Sequence, residues 1–283
     1  MVACLVCFAP GIWGQQKATR LVPRYATVGQ PDQAEGRAIL EEFRQMGIPG
    51  DYFFAFSLEV LPRRGPGYNI PGQLWGSRTP EGPISRVRLF PLNDVPEERL
   101  LVQNGRNAQA WRVRPSMDAA AEPKPLVTVA LFEPLAATQV TPFDLQMPFL
   151  FWDDFAYEGV NRVRGRNAHT FLLYPPAEFT ADDVALGGVR VYLDLQFNAM
   201  IQAEQLAPNG GVSKTMTVID LKRVGDQWIV KSIDMRDAHT RDKTRFRVTA
   251  VGMDLNFTPA LFEPAMLGQD VQPPPRGQLQ SVD

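Results

Sequence analysis

The stretch that most constrains this chain is Val189 to Glu204, VRVYLDLQFNAMIQAE, where apolar and polar residues alternate almost without a break. Val189, Val191, Leu193, Leu195, Phe197, Ala199, Ile201 and Ala203 fall on one face. Arg190, Asp194, Gln196, Asn198, Gln202 and Glu204 fall on the other. A period of two sustained this long predicts one long strand with a buried and a wet face. Turn residues at Pro208-Asn209-Gly210-Gly211 lead into a second strand over Ser213 to Val224. The tight Gly225-Asp226-Gln227 turn then leads to a third over Trp228 to Asp237, and Thr244 to Met253 closes the series. Connections this short permit antiparallel hairpins and exclude the crossover helices of a parallel sheet. The expected fold is mainly β, a large curved antiparallel sheet wet on one side only.

Upstream, Pro31-Asp32 begins a helix that runs to Met46 and stops at Gly47, with Asp32 as N-cap. Ile39, Phe43 and Met46 make its apolar stripe. A strand follows in which Tyr52, Phe54, Phe56, Leu58 and Val60 share a face. The segment from Pro142 to Tyr157 crowds Phe143, Phe149, Trp152 and Phe155 between interrupting prolines, and such an irregular apolar stretch belongs at the rim or floor of a concavity. Ordinary two-layer packing calls for more helix or a second equal sheet. A half-barrel around an apolar hollow accounts better for the surplus. Its expected lining is Tyr52, Phe54, Phe56, Leu58, Val191, Leu193, Leu195 and Phe197, with Ile39 and Phe43 from the helix and Phe149 and Trp152 from the Pro-broken segment.

Residues 1–14, MVACLVCFAPGIWG, form an apolar run too short to span a bilayer and end at small residues before polar Gln15. They fit a cleaved secretory signal, with a buried N-terminal strand as the alternative. Both cysteines, Cys4 and Cys7, lie inside this run, so a processed chain has no thiol for disulfides or nucleophilic chemistry. Residues 15–30 read as a linker, 31–268 as a single β domain and the Pro/Gln-rich 269–283 as a disordered tail. A formal charge of −2 without basic runs gives no nucleic-acid signature.

The search for chemistry is negative. Phosphate-binding glycine loops and a nucleophile elbow are missing. His169 and His239 have no partner at metal-ligand spacing and read as structural. Asp153, Asp154 and Glu158 form the one carboxylate cluster, and Arg162, Arg164 and Arg166 follow closely enough to neutralise it. No catalytic residue, metal or cofactor is expected.

Several segments carry a resemblance: PFLFWDDFAYEG, Gly165-Arg166, Tyr174-Pro175-Pro176, and the Trp228 hairpin before Asp237 to Thr240. Together they resemble the outer-membrane lipoprotein-sorting (LolA-like) proteins, in particular a longer, uncharacterised bacterial branch, over Pro142 to about Leu267. The resemblance implies an unclosed half-barrel plugged on its concave side by helices or loops. It also implies an apolar cavity that shields lipoprotein acyl chains or lipid in the periplasm, and a transfer partner at the inner or outer membrane. A carrier of this kind is not an enzyme. Each methylene kept from water contributes about 0.8 kcal/mol, so one acyl chain supplies on the order of 10 kcal/mol without any polar lock. The alternative from another class is a structural adaptor of the envelope with a filled core and no lipid.

Overall fold

The computed structural model describes residues 20–26, 30–91, 95–115, 123–180 and 184–282. The expected signal segment, with Cys4 and Cys7, lies outside them. Among the described residues there are two α-helices, α1 (Gln33–Gln45) and the short α2 (Pro142–Gln146), and thirteen strands. The strands are β1 (Asp51–Leu61), β2 (Tyr68–Thr79), β3 (Gly82–Leu89), β4 (Glu98–Gln103), β5 (Gln109–Val113), β6 (Phe155–Val163) and β7 (Arg166–Leu173). β8 (Gly188–Asp194), β9 (Met200–Leu206), β10 (Val212–Val224), β11 (Gln227–Asp237), β12 (Lys243–Leu255) and β13 (Gln280–Ser281) complete the set.

All belong to one antiparallel sheet in the order β5-β4-β3-β2-β1-β12-β11-β10-β9-β8-β7-β6, with β13 beside β12. The sheet is therefore two meanders joined where β1 pairs with β12, and its two outer strands do not meet. β11 and β12 pair only between Ser232–Arg236 and Lys243–Arg247. Beyond that point the two strands part, and β13 takes up the β12 edge at Ala250 and Val251.

The expected sixteen-residue strand is instead the hairpin β8–β9. The Asp194 carboxylate accepts the Gln196 and Phe197 N–H groups at 2.9 and 3.0 Å, and Asn198 takes the left-handed conformation at φ 47°. This side-chain-capped turn reverses the chain while the alternation runs straight through it. Leu195 and Phe197 thus lie in a turn, exposed, and not on the concave face.

The concave face carries one continuous apolar cluster. Phe56, Leu58 and Val60 of β1, Ile70 of β2, Val87 and Leu89 of β3, and Leu100 and Val102 of β4 join Val191 and Leu193 of β8 and Phe246 and Val248 of β12. At about 25 cal/mol per Å2 of apolar surface removed from water, this face is the main source of stability.

Two segments cover parts of the convex face. Residues 20–26, expected as a linker, run along β6: the Ala26 N–H donates to the Glu158 carbonyl and the Tyr174 hydroxyl to that of Leu21. The C-terminal segment, expected to be disordered beyond residue 268, straps β1–β5. Leu267 packs on Ile84, Leu101 and Val113, while Val282, just past β13, is fully buried in the main apolar cluster. The Arg86 guanidinium donates to the carbonyls of Leu261, Met266, Leu267 and Gln269. Four backbone acceptors on one buried cation explain why a Pro/Gln-rich composition still orders. Burial, with Arg99 and Arg88 close by, brings the Arg86 pKa down to about 10, so it stays charged at neutral pH.

Candidate functional site, the covered concave face

The cover over the concave face is built from α1 and residues 126–152. Asp32 caps α1 by accepting from the Ala34 and Glu35 N–H groups, as its place before the apolar stripe predicts. Leu40, rather than Met46, is the residue α1 buries completely. Ile39 and Phe43 pack against the cluster half-buried, and Met46 is exposed. The helix approaches β6 so closely at Gly36 that a Cβ there would lie 2.5 Å from the Tyr157 Cβ. Only glycine fits this crossing.

Under the helix the Pro-broken segment folds into short turns. Thr141 and Asp144 form a capping box at the start of α2. Phe143, fully buried, stacks on Phe132 at 4.6 Å and meets Phe149, Trp152 and Phe179 at 5.7, 6.3 and 5.8 Å between ring centroids. Pairs of this geometry contribute about 0.5–1.5 kcal/mol each beyond their buried area. This aromatic nucleus fills the space between cover and sheet.

Side chains tie the two parts of the cover to each other and the cover to the sheet. Arg44 of α1 donates from Nε to the Leu150 carbonyl at 2.6 Å and from Nη2 to that of Trp152 at 2.7 Å, and its Nη1 pairs with Glu41. Gln146 donates to the Gln103 carbonyl, and the Thr244 hydroxyl accepts the Gln139 N–H. Asp144, buried, pairs with Lys214 and accepts from Gln205. Among the described residues no second sheet lies over the concavity.

Of the expected lining, the structure brings Phe56, Leu58, Val191, Leu193, Phe149 and Trp152 into one buried cluster, with Ile39, Phe43 and Phe54 against it. Tyr52 stands outside that cluster. Its ring covers Gly76 on β2, and burial pushes its hydroxyl pKa up against the opposing Ser85 contact. Leu195 and Phe197 are not part of the site. Sequence reading missed Leu131, Leu135, Val140 and Phe179, which complete the filling. Their only signal was apolar residues inside loop-like stretches.

The carboxylates do not form a pair. Asp154 is bound bidentately by Arg20 at 2.8 Å on the surface, whereas Glu158 is buried with Arg190 at 2.7 Å. Arg166 goes to Asp194, so the expected neutralisation by the following arginines does not occur. His169 receives or donates one bond at Nδ1 with the Tyr157 hydroxyl at 2.8 Å, and burial lowers its pKa. Among the described residues no group of three or more His, Cys, Asp or Glu could hold a metal, and no helix is long and apolar enough to cross a membrane. Two open grooves lie outside the concavity. One of about 460 Å3 is bordered by Arg20, Arg37, Phe155 and Tyr174, and one of about 740 Å3 by Trp75, Phe257 and Pro273 to Pro275.

An unclosed antiparallel sheet wrapped on a helix and loops is the LolA-like fold. The chain aligns with a domain described as an outer membrane lipoprotein-sorting protein, from Vibrio parahaemolyticus (TM-score 0.71, 16% identity, 84% of this chain and 100% of that one). A DUF1329 family protein from Desulfovibrio piger gives a TM-score of 0.69 at 13% identity, over 84% and 100%. A LolA superfamily protein from Nitrosomonas europaea gives 0.61 at 15%, over 80% and 96%. No curated protein matches. A family model described as an uncharacterized protein matches residues 118–269, more than half of the chain, and the chain belongs to that family.

Proposed function

We propose that this protein is a non-catalytic carrier of the cell envelope that holds acyl chains, of lipidated proteins or of lipids, between the concave face and its cover. The observation that carries the reading is the nature of the cover. An apolar sheet face is closed by one helix and short turns, tied to the sheet mainly through side chains, among them Gln146 to the Gln103 carbonyl, Thr244 to the Gln139 N–H and Asp144 to Gln205 and Lys214. Such a cover can lift while the sheet keeps its backbone ladder, and burial in the exposed trough is non-directional. The likeness to lipoprotein-sorting structures supports this choice of cargo, and an exported, periplasmic location goes with it. A membrane-bound donor or acceptor is the expected partner.

A second reading has its own observation. Phe143, Phe149 and Trp152 already fill the concavity, as in an adaptor that binds no lipid. Mass spectrometry of organic extracts from natively purified protein separates the two. Co-purifying acyl species, lost in a variant with a charge at Val191, support the carrier. Extracts free of acyl species, with no uptake of a fluorescent fatty acid, support the adaptor.

A further inference from the structure

We propose that the end of the sheet carrying the β6–β7, β8–β9 and β10–β11 turns is a docking surface for an anionic lipid bilayer. In an antiparallel meander every second connection falls at the same end. The turns at Arg164–Gly165, Leu195–Asn198 and Gly225–Asp226 therefore stand side by side. β9 opens at Met200 while β10 runs on to Val224, so the β10–β11 hairpin projects past its neighbour by on the order of 15 Å.

Two register shifts around Asp220 turn this hairpin so that Val224 and Ile229 join the core. Leu221 and Trp228, on the other face, remain 42% and 65% exposed. In the β8–β9 turn, Leu195 and Phe197 are 48% and 58% exposed, in a loop fixed by the Asp194 carboxylate. The N-terminal segment packs on Ala156, Leu172 and Tyr174, and the C-terminal strap on Ile84, Leu101 and Val113. The exposed residues at this end belong to neither cluster.

Charge selects the occupant. The chain as a whole carries a formal −2, yet residues 161–167, 194–199 and 219–231 hold six cations (Arg162, Arg164, Arg166, Lys222, Arg223, Lys231) against three carboxylates. Those carboxylates are already engaged: Asp194 with Arg166, Asp226 with Arg223 and Asp220 with Lys231. Arg162 and Arg164 make no ion pair among the described residues. Aromatic and aliphatic side chains on separate projecting turns, with cations behind them, suit insertion below a headgroup layer.

The proposal does not depend on the carrier reading, because binding is measured without cargo. Co-sedimentation with phosphatidylcholine vesicles, with and without phosphatidylglycerol, tests it. Wild type should bind the phosphatidylglycerol vesicles and scarcely the others. Arg162→Gln with Arg164→Gln should lower the partition coefficient for phosphatidylglycerol vesicles about fivefold per residue and so narrow the lipid preference. Trp228→Ser should lower it about tenfold, and Phe197→Ser similarly. Each substitution is at an exposed site, and an unchanged melting temperature confirms the fold; should Phe197→Ser unfold, Trp228→Ser carries the test alone. Failure of wild type to bind phosphatidylglycerol vesicles overturns the proposal. So does binding that none of these substitutions weakens, or a protein cross-linked through residue 228 in the absence of vesicle binding.

Discussion

The ring of Tyr52 occupies the space that a side chain at Gly76 would need: a Cβ on residue 76 would lie 2.1 Å from the Tyr52 Cζ. The same relation recurs four residues along, where Phe56 covers Gly72, and both are directly opposed pairs of β1 and β2. An aromatic ring laid over a strand glycine shields backbone that would otherwise face a gap. Gly76→Ala is therefore expected to destabilise by about 1–3 kcal/mol in urea unfolding, with Tyr52→Ala in the same chain recovering part of the loss. An unchanged denaturation midpoint in Gly76→Ala would show that the ring moves freely aside.

Arg44 holds the cover to itself through two carbonyls from Leu150 to Trp152. Arg44→Met keeps most of the stem and removes both bonds. Stability should fall by about 2–3 kcal/mol, as for hydrogen bonds to a charged group. If the cover is a lid, uptake of an apolar fluorescent probe should become faster at the same time. Slower or unchanged uptake with the stability loss intact would contradict a lid.

Acid sensitivity should trace in part to Asp194. Burial opposes its ionisation, but the Gln196 and Phe197 N–H groups and Arg166 outweigh that and hold its pKa below the usual carboxylate value. Asp234, bound by Arg245 and Lys243 against the same opposition from burial, is shifted the same way. A depressed folded-state pKa contributes stability that is present above the unfolded value of about 3.9 and is lost as pH falls through the folded one. Asp194→Asn should lower stability at neutral pH and flatten its decline below about pH 4. A mutant that falls as steeply as wild type there would exclude Asp194 as a contributor.

A charge at residue 195 should be tolerated whatever the concavity holds, since Leu195 lies in an exposed turn. The informative positions are Val191 and Leu193, both fully buried in the cluster. Val191→Glu should cost several kcal/mol if the face is packed dry. A folded Val191→Glu protein with a modest fall in melting temperature would mean that water reaches the trough.

The strands of this fold were legible because period-two alternation and glycine turns are local signals. The β8–β9 turn was not, because Asp194 and Asn198 make it from polar residues that continue the alternation. Its only local hint is an aspartate followed four residues later by an asparagine, a residue that tolerates positive φ. The site was half legible for a similar reason. Composition announces that Phe143, Phe149 and Trp152 will be buried, whereas a filled or hollow concavity depends on how irregular backbone folds over the sheet. The strap was illegible in composition, since what orders it is Arg86, on β3, some 180 residues from the carbonyl of Met266.

The joint between the two meanders also sets a clock. Glu59 and Arg247, bonded at 2.5 Å across β1 and β12, stand 188 residues apart in the chain. Until β12 exists, β1 is an open edge bearing Phe53, Phe54 and Phe56, a template for pairing with any other extended chain. Closure entropy rises only slowly with loop length, but a contact this remote arrives late and folding slows accordingly. Native yield should thus respond to whatever occupies the β1 edge during that wait, at unchanged equilibrium stability.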